Sequence, residues 1–504
     1  MSVATSREQK NGISVTEKET PTKSYWREQF SPFPVIRQDP RTFSKAKKVL
    51  IVAQLGFAGM LAPLSSTVYF PALPTITEDL KASGTAVNAT VSLFILFMGI
   101  APVFWASMSD HYGVRRILYL SSITIFIAAS IGGAFVNDIT LLIVLRCIQS
   151  CGSSSSSSLG AGTIADCYDL HERGTAMGLL FLGQYLGPLL GPTIGGFLTE
   201  AFGWRATFWF CGILAFVILV LMFFALPETY RQESRWGPTA NSNIESTDEH
   251  GGDTTVISET QLERNSMENK VREPDTKVVA AKRMNPIASL ALLKHWFVLI
   301  VSIETGISFG AMFTTETVLP GLFARTYNLN SSQTGLTYLG AGVGNIIGSF
   351  AGGMLSDYFL KKARSARGGQ NIPEDRLGLN AWISGILFIP GGILIFGWSV
   401  YYGVSLAAPI IGFGILCFGL MQITTSISTY LVDSVPGRGA SATAAANFVR
   451  MVLAAILSIT AEPLIQAMGE NYLSLFLALL NIVSLAALFW VKIKGPELRK
   501  KSGF

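Results

Sequence analysis

The sequence predicts an all-α membrane protein of twelve transmembrane helices in two pseudo-symmetric six-helix bundles. Three observations lead there. Of 504 residues, 49% are hydrophobic and only 14% are charged, where a soluble globular domain carries roughly 25% charged residues. Apolar runs of bilayer-spanning length, about 20 residues, recur twelve times along the chain. One short charged pattern occurs twice, once in each half. Together these exclude a secreted, fibrous, disordered or ordinary soluble enzyme.

Taken in order, residues 1–48 form a polar, basic and disordered N-terminal tail. It lacks the short apolar core and small-residue cleavage site of a secretory signal, so the first crossing acts as its own signal anchor. Runs at 49–71, 86–106, 116–136, 140–165, 173–199 and 206–227 make the N-terminal bundle, 49–227. Residues 228–293 are rich in Ser, Thr, Asn, Glu and Lys and poor in aromatics, so they cannot bury enough surface to offset ordering entropy. They read as a flexible cytoplasmic linker, with a helix lying on the membrane as the alternative for part of it. Runs at 295–320, 332–356, 378–397, 404–430, 439–463 and 472–492 complete the C-terminal bundle, 294–492, and a basic tail, 493–504, ends the chain.

Twelve crossings put both ends on one side, and Lys and Arg mark the cytoplasmic side. With the N-terminus inside, the outer loops hold only Lys81, Arg205 and Arg325, and Arg146 and Arg450 lie within spans, which leaves the other 33 of 38 basic residues inside. The net charge of +5 follows from this bias and does not point to nucleic acid. Cys147, Cys151, Cys167, Cys211 and Cys417 all sit in spans or at the cytoplasmic end of one. No disulfide framework is expected from them, and no zinc site, since His and Cys partners at ligand spacing are missing.

The second run is followed by Ala106-Ser107-Met108-Ser109-Asp110-His111-Tyr112-Gly113-Val114-Arg115-Arg116, and the eighth by Gly353-Met354-Leu355-Ser356-Asp357-Tyr358-Phe359-Leu360-Lys361-Lys362. Both copies place a small residue four before an Asp and a basic pair shortly after it. An internal repeat of this kind marks a transporter built from two six-helix halves. An Asp at a helix end can pair with the basic loop residues and latch one half to the other, so Asp110, Arg115, Arg116, Asp357, Lys361 and Lys362 are the expected gate. A solvated topogenic loop would explain the basic residues but not the recurrence.

At these residues the chain resembles the major facilitator superfamily, whose signature is G-x-L-a-D-r-x-G-r-k. The first copy departs from it at Ala106, His111 and Val114, and the second has Leu360 in place of the glycine. The resemblance covers about residues 49–492 without the linker. Gly187-Pro188-Leu189-Leu190-Gly191-Pro192-Thr193-Ile194-Gly195-Gly196 is similar to G-x-x-x-G-P-x-x-G-G, the antiporter motif of drug:proton exporters in that superfamily. Gly183, Gly187, Gly191 and Gly195 form a ladder of period four, and Gly340, Gly344, Gly348 and Gly352 form another. Small-residue ladders let helices approach closely, and the superfamily fold sets spans five and eight against each other, so the ladders read as a sliding seam. Leu145-Arg146-Cys147-Ile148-Gln149-Ser150-Cys151-Gly152 is similar to the R-x-x-q-G-x-G element of the same exporters. With Ser65, Ser66 and Tyr69-Phe70-Pro71 in span one and Ser441 to Arg450 in span eleven, the chain looks like the fungal twelve-span drug:proton antiporters, the branch that exports quinidine-like drugs, polyamines and organic acids.

The resemblance implies a proton-coupled exporter of small organic molecules, namely drugs, toxins or secondary metabolites, working by alternating access. Export of an organic acid anion or a polyamine is the alternative, and nutrient import is disfavoured by the antiporter motif. The implied partners are substrate, protons and membrane lipid, without nucleic acid. A monomer is expected in the plasma membrane, or else in the vacuolar membrane, with both termini cytoplasmic. Enzyme chemistry is not expected: there is no Walker loop, no catalytic constellation and no cofactor site. The repeat argues against a channel or receptor.

Depth along each span selects the polar residues. At 1.5 Å per residue, Glu304 stands roughly 14 Å into span seven, near the middle of a core about 30 Å thick. Glu316 lies about 18 Å further out on a different helix face, which reads as an outer-rim position. Glu304 is therefore the expected proton carrier, or else half of a buried structural pair, with Arg146 and Arg450 as the cations available to it or to an anionic group of the substrate. An Arg inside a span costs at least about 3 kcal/mol, so Arg146 should face a wet cavity or a carboxylate. Gln149, Gln184, Asn447, Arg450, Ser65 and Ser66 outline the substrate cavity, although interhelical hydrogen bonding alone would also account for Gln149, Gln184 and Asn447. The serine run 153–158 reads as close packing, and Lys294 and His295 as snorkelling interfacial residues.

Overall fold

Among the residues described by the structure, a computed structural model, every regular element is helical; these are residues 39–168, 173–231, 290–368, 372–435 and 439–503, without the side chains of 110, 173–175, 178, 182, 439 and 440. The N-terminal bundle comprises α1 (Lys45–Thr67), α2 (Leu73–Asp79), α3 (Gly84–Tyr112), α4 (Arg116–Phe135), α5 (Ile139–Ser153), α6 (Ser155–Cys167), α7 (Arg173–Phe202) and α8 (Arg205–Ala225). The C-terminal bundle comprises α9 (Trp296–Tyr327), α10 (Ser331–Ala366), α11 (Leu379–Ile383), a π-helical turn at Ser384–Phe388, α12 (Ile389–Tyr401), α13 (Ala407–Ser434) and α14 (Gly439–Lys501).

Local chemistry sets the boundaries. Ser44, Ser83 and Asp138 cap α1, α3 and α5 by accepting from the amides of Lys47, Ala86 and Leu141, which satisfies donors the first turn leaves free. Asn330 and Gln333 close a reciprocal capping box on α10. Gly113 ends α3 at φ 65° and Gly469 breaks α14 at φ 80°, backbone that side-chain-bearing residues rarely adopt.

Among the described residues, nine segments are long and apolar enough to cross a membrane. The fourth expected run is divided into α5 and α6 at Ser154, and the last two run together as α14, with a break at Gly469 between them. The division follows from the serines. Ser153 and Ser154 both bond back to the Ser150 carbonyl, and Ser157 and Ser158 to those of Ser154 and Ser155, in competition with the helix ladder. Ser122 of α4 meets Ser155 at 2.5 Å, the close packing that small side chains permit. Ile213, Phe216, Phe350 and Val483 point outward with more than half of their surface exposed, which only a lipid surrounding makes favourable.

Order extends further than composition suggested. A 3-10 turn at Pro40–Thr42 and the first residues of α1 fall inside the expected tail. Glu228 to Arg231, the first residues of the expected linker, are packed: Glu228 is buried and Arg231 pairs with Asp39 at 3.1 Å. Helix α14 continues through most of the expected basic tail, where Arg499 pairs with Glu374 at 2.9 Å. The remainder of the tail and linker, 1–38 and 232–289, lies outside the described residues.

Candidate substrate and proton pathway

Helix α5 carries Arg146 into the N-terminal bundle at 1% exposure. Its Nη1 donates to the Ser65 carbonyl at 3.0 Å and to Gln149 Oε1 at 2.8 Å, and Gln149 Nε2 passes the chain on to Ser130 Oγ at 2.8 Å. The i,i+3 spacing puts Arg146 and Gln149 on one helix face. The guanidinium lies over the Tyr69 ring at 4.5 Å and the Phe94 ring at 4.1 Å, so ring quadrupoles replace the expected carboxylate. Its Nε and Nη2 remain without partners. The Ser65 hydroxyl turns back to Ala62 O, and that of Ser66 is buried without a partner.

Glu304 on α9 is fully buried, as its depth implied, but its partners differ from expectation. Ser308 donates to Oε1 at 3.1 Å and Ser484 to Oε2, while Asn481 donates to the Ser308 hydroxyl at 2.8 Å. The acid is thus held between α9 and the last stretch of α14, within one half, and neither Arg146 nor Arg450 is among its hydrogen-bond or ion-pair partners. Ser308 was accessible to sequence reasoning as the i+4 neighbour; Ser484 and Asn481 belong to a distant span with no local signal. Arg450 donates to Asn447 and covers the Phe309 ring at 4.4 Å. Gln184 sits half-buried against Gly59 of α1. Glu316 lies further along α9 than Glu304, and it is only 2% exposed, because α9 is enclosed by neighbours well beyond the face that carries Glu304.

The gate residues pair within each half. Arg115 Nε meets Asp166 at 2.6 Å, and the amides of Arg115 and Arg116 donate to the two oxygens of Glu228 at 3.0 and 3.1 Å. The Asp110 side chain lies outside the described residues. In the second copy Asp357 takes Arg376 at 2.5 Å instead of Lys361 or Lys362, which are exposed, and Arg376 reaches Asp433 at 2.9 Å. Burial works against the charged guanidinium of Arg376, yet hydrogen bonds from it to Asp433 and Asp357 keep its pKa above the ordinary arginine value. The described pairs of both copies thus lie within one half: Arg115 of the first finds the carboxylate of Asp166, and Asp357 of the second finds Arg376.

The ladders are also intramural. A Cβ on Gly183, Gly187, Gly191 or Gly195 would strike Gly56, Leu64, Thr67 or Val68 of α1, and one on Gly340, Gly344, Gly348 or Gly352 would strike Ile410, Gly414, Phe418 or Gln422 of α13. One period-four stripe occupies one face, and that face is spent on the partner inside the bundle. The two halves do meet through α7 and α10, but on adjacent faces: Gly196 lies against Ser331, Gly335 against Pro192, and Gly342 against Leu189. Every hydrogen bond described between the halves lies at one end of these helices, where Glu200 accepts from Asn330 and from the Ser332 amide, and Thr193 donates to Gly335 O. This is the face opposite the start of α1 and the end of α14, called the far face below.

Two helical bundles closing on each other at one face, with buried polar groups between and within them, define a multi-pass membrane transporter. The chain belongs to the Major Facilitator Superfamily, whose family model matches residues 55–459. It is 30% identical to the MFS antiporter QDR3 of Candida albicans, over 92% of this chain and 80% of that protein. Identity to quinidine resistance protein 3 of Saccharomyces cerevisiae is 26%, over 92% and 84%. A bacterial homolog of the human lysosomal transporter Spinster, solved inward-facing and unoccupied, shares the fold with a TM-score of 0.63 at 14% identity, covering 91% of this chain and 99% of that one. The superfamily is one of transporters, so the chain is not an enzyme.

Proposed function

We propose that the chain is a proton-coupled exporter of small organic molecules working by alternating access in the plasma membrane, with both termini and the central linker cytoplasmic. Twelve crossings follow if α5–α6 and α7 each span and α14 crosses twice about Gly469. The observation that carries the reading is Glu304, a fully buried acid held by hydroxyls with no cation bonded to it. Such a site suits a neutral acid and an ion alike, since hydroxyls donate to the ion and burial favours the acid. The antiporter motif and the names of the relatives, an MFS antiporter and a quinidine resistance protein, support export. Arg146, with two unpartnered nitrogens beside two aromatic rings, keeps export of an organic acid anion as a second reading, and a polyamine would instead need acidic groups such as Glu304. Uptake into proteoliposomes tests the proposal: a proton gradient should drive quinidine-like cations uphill, whereas simple equilibration would refute antiport.

A further inference from the structure

Glu316 is a buried carboxylate that the pathway above leaves unused. It lies on α9 beyond Glu304, towards the far face, and its Oε2 is buried without a hydrogen-bond partner. The titratable groups facing it are the Tyr338 phenol on α10 and the Cys417 thiol on α13. From α14, Glu470 lines a small cavity beside Thr314 and Thr315. On α2, Glu78 and Asp79 are exposed, and Asp79 is taken by Trp204 and Arg205; on α12, Tyr401 is exposed. No Lys, Arg or His among the described residues opposes it. An unpaired carboxylate ion in such surroundings is costly, whereas the neutral acid is tolerated.

The same residue is tied to the closure of the molecule. Tyr338 donates its hydroxyl to the Glu316 carbonyl at 2.7 Å, and its ring stacks on Phe70 of the opposite bundle with centroids 6.1 Å apart and planes within 7°. Parting the halves at the far face separates Phe70 from Tyr338 and lets water reach Glu316.

We propose that Glu316 is a proton-binding gate residue: the far face closes over it as the neutral acid and opens when it is ionised. This rests on the alternating-access reading and adds a role distinct from that of Glu304. The carboxylate takes its proton from water at the far face as the halves close, and returns it to the same water when they part. Acidification on that side therefore favours closure, by at most roughly tenfold in the closed-to-open ratio per pH unit for one linked proton.

Hydrogen–deuterium exchange of the purified full chain in lipid nanodiscs, with labelling times corrected for the chemical pH dependence, reads this at residues 193–202 and 328–335. Wild-type protection there should rise as pH falls from about 8 to about 5, and Glu316→Gln should be protected throughout with no slope. A wild-type slope in folded Glu316→Gln, or no slope in the wild type, overturns the proposal. If Glu316→Gln does not fold, Glu316→Asp and Glu304→Gln decide: both should keep a slope, and its loss in Glu304→Gln assigns the response to that residue and also overturns the proposal. Failure of proton-driven flux with the slope intact refutes only the transport reading.

Discussion

Arg146 is buried with Nη1 engaged in two hydrogen bonds and with Nε and Nη2 idle, and the Tyr69 and Phe94 rings lie against its guanidinium. Arg146→Ala would empty that cage and leave the Ser65 carbonyl and Gln149 Oε1 without their donor. Flux normalised to abundance should fall at least about tenfold, with Arg146→Lys intermediate, because an ammonium lacks the planar fork that stacks on aromatic rings. Retained flux in Arg146→Ala would remove this residue from the pathway. Arg146 and Gln149 were legible in the sequence because a charge and an amide at i,i+3 stand out in an apolar run. Tyr69, Phe94 and Ser130 were not, since each arrives from another helix and nothing local distinguishes it from core. The burial of Glu316 was not legible for a related reason: the turn angle from Glu304 says which face it occupies, but not that α9 has neighbours on that face as well.

Helix contacts make two further expectations. Leucine at Gly191 must displace Thr67 and Val68 of α1, so Gly191→Leu should lower the melting temperature and abundance of the chain, since overpacking typically costs about 1–3 kcal/mol. Leucine at Gly335 meets Pro192 of the other half, so Gly335→Leu should stay folded and abundant while its flux falls because the far face no longer closes. Equal melting temperatures for the two variants would contradict this division. The Arg376 clasp ties α10 to α13 through Asp357 and Asp433. Arg376→Ala should lose about 1–2 kcal/mol, while Lys361→Ala and Lys362→Ala, being exposed, should stay within about 0.5 kcal/mol of wild type. A raised pKa means the guanidinium stays charged around neutrality, and on the alkaline side the clasp is lost as pH rises through that value. Since that lies in the strongly alkaline range, the deficit measured by thermal unfolding should be constant around neutrality. The repeat correctly signalled paired charged loops, but it could not show that their partners are Asp166, Glu228 and Arg376, which come from elements outside the motif.

The whole chain reads from its composition and repeat as a helical membrane transporter, and those features survive because hydrophobic period and small-residue spacing act locally. The relation between the bundles is not local, and the glycine ladders were accordingly assigned to the wrong interface. In the proposed orientation, protease added to intact cells should spare tags at either terminus or within 232–289, and cleavage there from outside would sink that orientation. Proton coupling rests most directly on Glu304, which as a glutamine can keep its contact with Ser308 and Ser484 but can no longer exchange a proton. Proton-driven export should be measured in proteoliposomes reconstituted with equal amounts of wild type and Glu304→Gln, with substrate binding followed in parallel. Glu304→Gln should bind substrate with wild-type affinity while flux loses its dependence on the pH gradient; unchanged gradient dependence would contradict the account.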